Sequence, residues 1–348
     1  MSSFYIKARL RAIGRMDIVR TYRCKTVRRD DVRRGGAAYN GGSSIKEHKM
    51  KTTSPIFPVF GTIARLLGAA VAMFIAFMLS AMVSGADAAQ LTPEEATLSG
   101  QMVLLVSFIN ALVLSYLALR SRWHGWKLVG ALFVTQYGIE TFMSQVETVV
   151  FNQTLQLTVE QVVTVFVSGL LRALIFAPLA VWILGKMRPA KSADVPSTHR
   201  LAFSSLEWVK RLSLLAGLYV VVYFIFGYFV AWQSAELRQF YSGSSEILPF
   251  FTHMVGVLRD DPMLALIQFV RGYLWVLVVL PLVFMFKGGK LETTFALALS
   301  LSVLLSSLIL FPNPYMPEPI RMAHFYELMS SMIAFGGLVG WVLLAEKS

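Results

Sequence analysis

Apolar residues in this chain fall into long runs instead of alternating with polar residues. A helix that crosses a bilayer core needs about 20 mostly apolar residues, because its backbone polar groups must be satisfied within the segment. By this criterion the pattern predicts eight spans, at 60–83, 102–119, 128–150, 162–184, 212–232, 264–286, 293–311 and 323–345. The third span is the least apolar. We therefore predict an all-α, polytopic transmembrane helical bundle.

Composition excludes several other classes of protein. Of the 348 residues, 56% are hydrophobic and only 15% are charged, whereas about 25% of the residues in soluble domains are charged. These values argue against a soluble globular enzyme, a disordered chain and a fibrous protein. The single cysteine, Cys24, excludes an intrachain disulfide and any metal site built from several cysteines.

The distribution of lysine and arginine predicts the orientation of the spans, because cytoplasmic loops carry an excess of both. Of the 32 in the chain, 26 lie on the side that holds both termini, and three lie on the other side. We expect both termini in the cytoplasm and the protein in the cytoplasmic (inner) membrane. This asymmetry explains the net charge of +12. We therefore expect the lipid bilayer to be the partner of the basic residues, and we expect no nucleic acid.

The chain divides into a tail and one membrane domain. Residues 1–59 are rich in arginine and lack a sustained apolar run, so we predict a basic, disordered cytoplasmic tail before a single transmembrane domain at 60–348. The connection 233–263 mixes aromatic and charged residues, which is typical of an amphipathic stretch at the membrane interface. The loop 312–319 contains four prolines, so we expect a stiff, non-helical cap there.

An alternative start of translation stays open. If translation begins at Met50, residues 1–49 are an upstream extension without a role. Residues 50–88, which end in Ala86-Asp87-Ala88, would then resemble a secretory signal with a cleavage site between small residues. The apolar stretch 66–83 is long enough to span a membrane, which favours eight retained spans over seven.

Ionisable side chains inside the spans are the candidate functional residues, because each costs a few kcal/mol in a bilayer unless it pairs or faces water. The third and eighth spans each carry a polar stripe on one helical face. The stripes consist of Gln136, Glu140, Ser144 and Glu147, and of Arg321, His324, Glu327 and Ser331. With one arginine from each of the fourth and sixth spans, the predicted site comprises Glu140, Glu147, Arg172, Arg271, His324 and Glu327.

The predicted orientation brings opposite charges to similar depths, with Glu140 level with Arg172 and the other four residues nearer the outer surface. We therefore predict a polar pocket among spans three, four, six and eight, open to the outside and closed towards the cytoplasm. Arginines suit a carboxylate or a phosphate, lipid headgroups included. The pattern thus favours binding or transport of a small anionic solute, with Glu140 as the coupling acid and without a cofactor.

Two other functional classes compete with a carrier. An intramembrane enzyme, metal-dependent in one form, would use His324, Glu327, Glu140 and Glu147, since His-x-x-Glu places two ligands on one helical face. The sequence contains no H-E-x-x-H, no G-x-S-x-G and no phosphate-binding loop. An assembly subunit without chemistry would use its outer loops as the interface. The structural alternative is that buried ion pairs only fix which helices pack together.

Small residues spaced four apart let membrane helices approach closely. Gly336 with Gly340, and Ala64 with Gly68, show this spacing. Both pairs predict close helix packing, and association of two copies of the chain through the same faces is the alternative.

Overall fold

The computed structural model describes residues 56–82, 92–150, 157–189, 201, 203–312 and 316–345. The first 55 residues of the predicted tail, the alanine-rich cleavage motif and residues 313–315 of the predicted cap lie outside these ranges. Within them the regular structure is helical, and one isolated bridge joins Ser121 to Phe286. The prediction of an all-α polytopic bundle is confirmed.

The helices follow the apolar runs of the sequence. They are α1 (Ile56–Ala81), α2 (Pro93–Leu119), α3 (Gly125–Tyr137), α4 (Met143–Val150), α5 (Val159–Ile183), α6 (Ser205–Phe229), α7 (Ala235–Ser242), α8 (Phe250–Asp260), α9 (Met263–Met285), α10 (Lys290–Ser306) and α11 (Glu318–Leu343). Short 3₁₀ turns follow α6 and α10. Seven described helices are long and apolar enough to cross a membrane, namely α1, α2, α5, α6, α9, α10 and α11. The predicted third span is helical throughout, as α3 and α4 joined by a π-helical turn at Gly138–Phe142.

Polar caps start several helices before their apolar runs begin. Thr92, Thr158 and Ser204 each accept a hydrogen bond from the backbone three residues ahead and complete a capping box with Glu95, Gln161 and Glu207. These boxes satisfy backbone N–H groups that have no partner within the helix.

The predicted non-helical cap at 312–319 is wrong at its end. Helix α11 begins at Glu318, and Pro319 lies in its first turn. Proline is tolerated there, because the N–H group that it lacks would have no partner within the helix.

Glycines allow a close contact between α10 and α11. A Cβ atom on Gly336 would lie 2.5 Å from the Cα of Ala298, and one on Gly340 would collide with Thr294. A Cβ atom on Gly68 would lie 3.3 Å from the side chain of Ile183 in α5, a looser contact. The Gly336–Gly340 face of α11 therefore packs against α10 within one chain.

The loops rich in lysine and arginine, which are predicted to share one side of the membrane, meet at one end of the bundle. We call this end the basic end. The backbone N–H of Arg122 donates to the carbonyl of Met285 at 2.7 Å, and that of Gly125 donates to the carbonyl of Lys186 at 2.9 Å. At the opposite end, called the cavity end, α7 contacts α11.

The predicted amphipathic connection between the fifth and sixth spans forms α7 and α8. Helix α8 has no buried residue, and its Phe251 is 80% and its Val255 68% exposed. This apolar face is what an interfacial helix presents to lipid.

Candidate functional site

A cavity of about 860 Å³ opens among the helices at the cavity end. Its walls come from the π-helical turn, from α4, α5, α6, α7 and α11, and from the ends of neighbouring helices. Five of the six predicted site residues line it, namely Glu140, Glu147, Arg172, His324 and Glu327. The sixth, Arg271, lies behind this wall and contacts Glu147.

The deepest charged pair of the cavity wall joins the π-helical turn to α5. Arg172 Nε donates to Glu140 Oε2 at 3.1 Å. Glu140 is 1% exposed and Arg172 is 8% exposed. Asn110 of α2 donates to the other carboxylate oxygen at 3.1 Å, and its own carbonyl oxygen accepts from Ser307 at 2.9 Å. The carboxylate is therefore held by α2 and α5, and the 3₁₀ turn after α10 holds Asn110 in place.

Small residues allow α5 to approach the π-helical turn closely enough for this pair. A Cβ atom on Gly169 would collide with Thr141. Thr141 in turn accepts a hydrogen bond from Arg172 at 3.4 Å. The guanidinium also lies 4.5 Å from the ring centroid of Phe77, a cation–π contact that is favourable where water is scarce.

A second ion pair lies nearer the mouth of the cavity. Arg271 of α9 donates to Glu147 Oε2 at 2.9 Å and to Gln268 at 2.7 Å. The arginine side chain is 2% exposed, whereas that of Glu147 is 32% exposed. The carboxylate thus faces the cavity while its counter-ion is enclosed by protein.

A three-residue hydrogen-bonded chain crosses from α11 to α7. His324 Nδ1 lies 3.0 Å from Glu327 Oε2, and His324 Nε2 lies 3.0 Å from the hydroxyl of Tyr241. Burial raises the pKa of the Tyr241 phenol to about 12, so Tyr241 stays protonated at neutral pH. The sequence marks Tyr241 only as an aromatic residue of the outer connection, and no spacing rule links it to a histidine 83 residues away.

Arg321 has a structural role at the edge of the cavity. It is 5% exposed, and its guanidinium donates to the carbonyl oxygens of Ile309 and Leu310 at 3.3 and 3.1 Å. These carbonyls end the 3₁₀ turn after α10, where partners within the helix are lacking. Arg321 therefore satisfies backbone carbonyls of the 3₁₀ turn after α10.

The helices that line the cavity differ in part from the predicted set. Spans three, four and eight contribute as expected, but span six contributes only Leu264. Its place is taken by α6, with Tyr223 and Tyr228, and by α7 and α8. The sequence prediction missed these walls because Tyr223 and Tyr228 carry no net charge in an apolar span.

The proposed metal ligands do not gather into one cluster. Within the described residues, no three histidine, cysteine, aspartate or glutamate side chains are placed to hold a metal ion together. Glu140 and Glu147 each pair with an arginine instead. The geometry therefore gives no support to the metal-dependent alternative that combines them with His324 and Glu327.

Comparisons of the chain with protein-family models, with curated proteins and with solved structures found no match. The functional interpretation therefore rests on the geometry of the cavity and on the charges that line it.

Proposed function

We propose that this multi-pass membrane protein binds a small anionic solute in the cavity and carries it across the membrane. The observation that carries the proposal is the Glu140–Arg172 pair, 3.1 Å apart on the wall of an 860 Å³ cavity. Small-molecule sites have volumes of about 300–1,000 Å³. The cavity is therefore large enough for a metabolite-sized ligand.

The pair suits a carrier because its members can exchange partners. Without solute, Glu140 neutralises Arg172 and keeps the guanidinium from being a buried, unpaired charge. Arg172 gives Glu140 one hydrogen bond, and a carboxylate or phosphate on the solute can accept two from the same guanidinium. Protonation of Glu140 would release the arginine to the solute. Solute binding and proton binding would then be linked at one pair of side chains.

We place the cavity mouth on the outer face, since the basic end carries the loops with most of the lysine and arginine. This orientation can be tested by cysteine labelling. In a Cys24→Ser background, Ser144→Cys puts a thiol on the cavity wall, and Ser115→Cys is the matched control because Ser115 is 0% exposed. A membrane-impermeant maleimide added to intact cells should label only the first variant. Labelling that requires broken cells would reverse the orientation.

Solute binding can be tested by thermal unfolding of the purified protein against a panel of mono- and dicarboxylates and organic phosphates. A ligand at 100 times its dissociation constant stabilises the folded state by about 2.7 kcal/mol. We expect at least one panel member to raise the unfolding temperature of the wild type but not of Arg172→Gln. Glu292→Gln, outside the cavity, is the control that should keep the response. Equal stabilisation of Arg172→Gln would reject the site.

A further inference from the structure

We propose a second binding site, at the basic end, which takes the phosphate group of an anionic phospholipid. The site is a basic cluster formed by Arg65, His124, Lys186 and Lys287. It lies at the opposite end of the bundle from the cavity, and it does not depend on the proposed transport function.

The backbone holds these cations in place. Lys186 Nζ donates to the carbonyl of Ser121 at 2.8 Å, and the N–H of Lys287 donates to the carbonyl of Arg120 at 2.9 Å. Gly185 adopts φ = 71°, a conformation that suits glycine. A Cβ atom there would lie 3.4 Å from the guanidinium of Arg65. The loops that carry His124, Lys186 and Lys287 are therefore joined to each other by hydrogen bonds, which fix the positions of their charges.

The charges of the cluster repel each other. Partial burial and the nearby Lys287 lower the pKa of Lys186 to about 8. Burial, Lys186 and Lys287 also lower the pKa of His124. Among the described residues neither lysine forms an ion pair, and Glu292 at this end is engaged by Arg120 at 2.6 Å. A bound phosphate would relieve this repulsion.

Exposed tryptophans point to a lipid as the source of the phosphate. Trp126 is 73% exposed and Trp182 is 69% exposed, and both flank the cluster in the sequence. Tryptophan is enriched at the level of the lipid headgroups. Lys127 lies over the ring of Trp123 at 4.2 Å, so a further cation lies beside the cluster.

Native mass spectrometry of the purified full-length protein tests the site directly. The probes are phosphatidylglycerol and phosphatidylcholine with identical acyl chains. A lysine that contacts the bound phosphate should contribute about 1 kcal/mol to binding, so the Lys186→Gln/Lys287→Gln variant should bind phosphatidylglycerol roughly 25-fold more weakly. Lys290→Gln, an exposed neighbour, is the control that should bind as the wild type does. Equal losses in both variants, or no loss in either, would overturn the proposal.

A second measurement uses the wild type, so that misfolding of a variant cannot decide the result. Cyanate carbamylates neutral lysine, and bound phosphate should slow the reaction of Lys186 at least fivefold while Lys290 reacts at an unchanged rate. Protection by phosphatidylglycerol alone supports a lipid site. Protection by inorganic phosphate as well supports the same cluster with a soluble source. Protection by neither, or equally by phosphatidylcholine, would overturn the proposal.

Discussion

Neutralising the Glu140–Arg172 pair one residue at a time should cost far more stability than neutralising both. Glu140→Gln leaves a buried guanidinium without its counter-ion, and Arg172→Gln leaves a buried carboxylate. Each single change should lower the free energy of unfolding by about 3–5 kcal/mol, whereas the double variant should lose little because no unpaired charge remains. At the observed 3.1 Å, an effective dielectric constant of about 20 gives an attraction of about 5 kcal/mol.

The measured coupling combines this attraction with the cost of leaving either charge buried and unpaired. Asn110 and Gln136 also donate to the carboxylate, and they can donate to a glutamine oxygen at the same position. Two single losses of about 3–5 kcal/mol and a small double loss give a coupling energy of about 5 kcal/mol or more in a double-mutant cycle. Reversible unfolding in mixed micelles, followed by circular dichroism during titration with dodecyl sulfate, supplies the four free energies.

The Arg120–Glu292 pair provides a matched cycle in the same protein. Its two side chains are 45% and 34% exposed, so solvent screening should limit its coupling to about 0–1 kcal/mol. A Glu140–Arg172 coupling below about 1 kcal/mol would refute the view that this pair is electrostatically isolated from water. A stable double variant that no longer responds to any anionic solute would separate the functional role of the pair from a structural one.

Three further predictions follow from packing, titration and hydrogen bonding. Gly336→Leu should lower the free energy of unfolding in micelles by about 2–3 kcal/mol through overpacking. The control Gly337→Ala, at a glycine with open space around it, should leave that free energy unchanged or raise it by up to about 1 kcal/mol. Equal losses in the two variants would contradict the packing of Gly336 against α10. At pH 8 about half of the Lys186 side chains should be neutral, against roughly 0.3% of ordinary lysines. Mass-spectrometric carbamylation rates should therefore level off above pH 8 for Lys186 alone, and a rate that keeps rising to pH 10 would contradict the shift. Asn110→Leu should cost about 1–3 kcal/mol in the same unfolding assay, because it removes the hydrogen bonds that Asn110 makes with Glu140 Oε1 and with the hydroxyl of Ser307. A neutral effect would mean that water replaces the amide.

The sequence was sufficient to predict the spans and most of the cavity charges. Hydropathy marks the segments that cross the bilayer core, and rare charges within them stand out because each must be compensated. It did not predict where α2, α5 and α6 begin, because their first turns are polar and are held by capping boxes. It also missed Tyr241, whose partner His324 becomes a neighbour only when α7 folds against α11.

The π-helical turn explains why one predicted stripe has two arginine partners. In a continuous α-helix Glu140 and Glu147, seven residues apart, would share one face. A π-helical turn adds one residue and rotates the following helix by about 100°. Glu140 therefore meets α5, whereas Glu147 meets α9. The π-helical turn packs against α9 through the contact between Gly138 and Val278. Local sequence does not reveal this tertiary contact.

The two buried ion pairs also constrain the order in which the protein is built. A chain made from its N-terminus presents Glu140 to the membrane 32 residues before Arg172, and Glu147 124 residues before Arg271. An unpaired charge at the centre of a span opposes insertion by about 3 kcal/mol. We therefore expect the segment from α3 to α4 to complete its insertion only after α9 has been synthesised. Nascent chains that stop before α9 should hold this segment less firmly in the bilayer than the finished protein does.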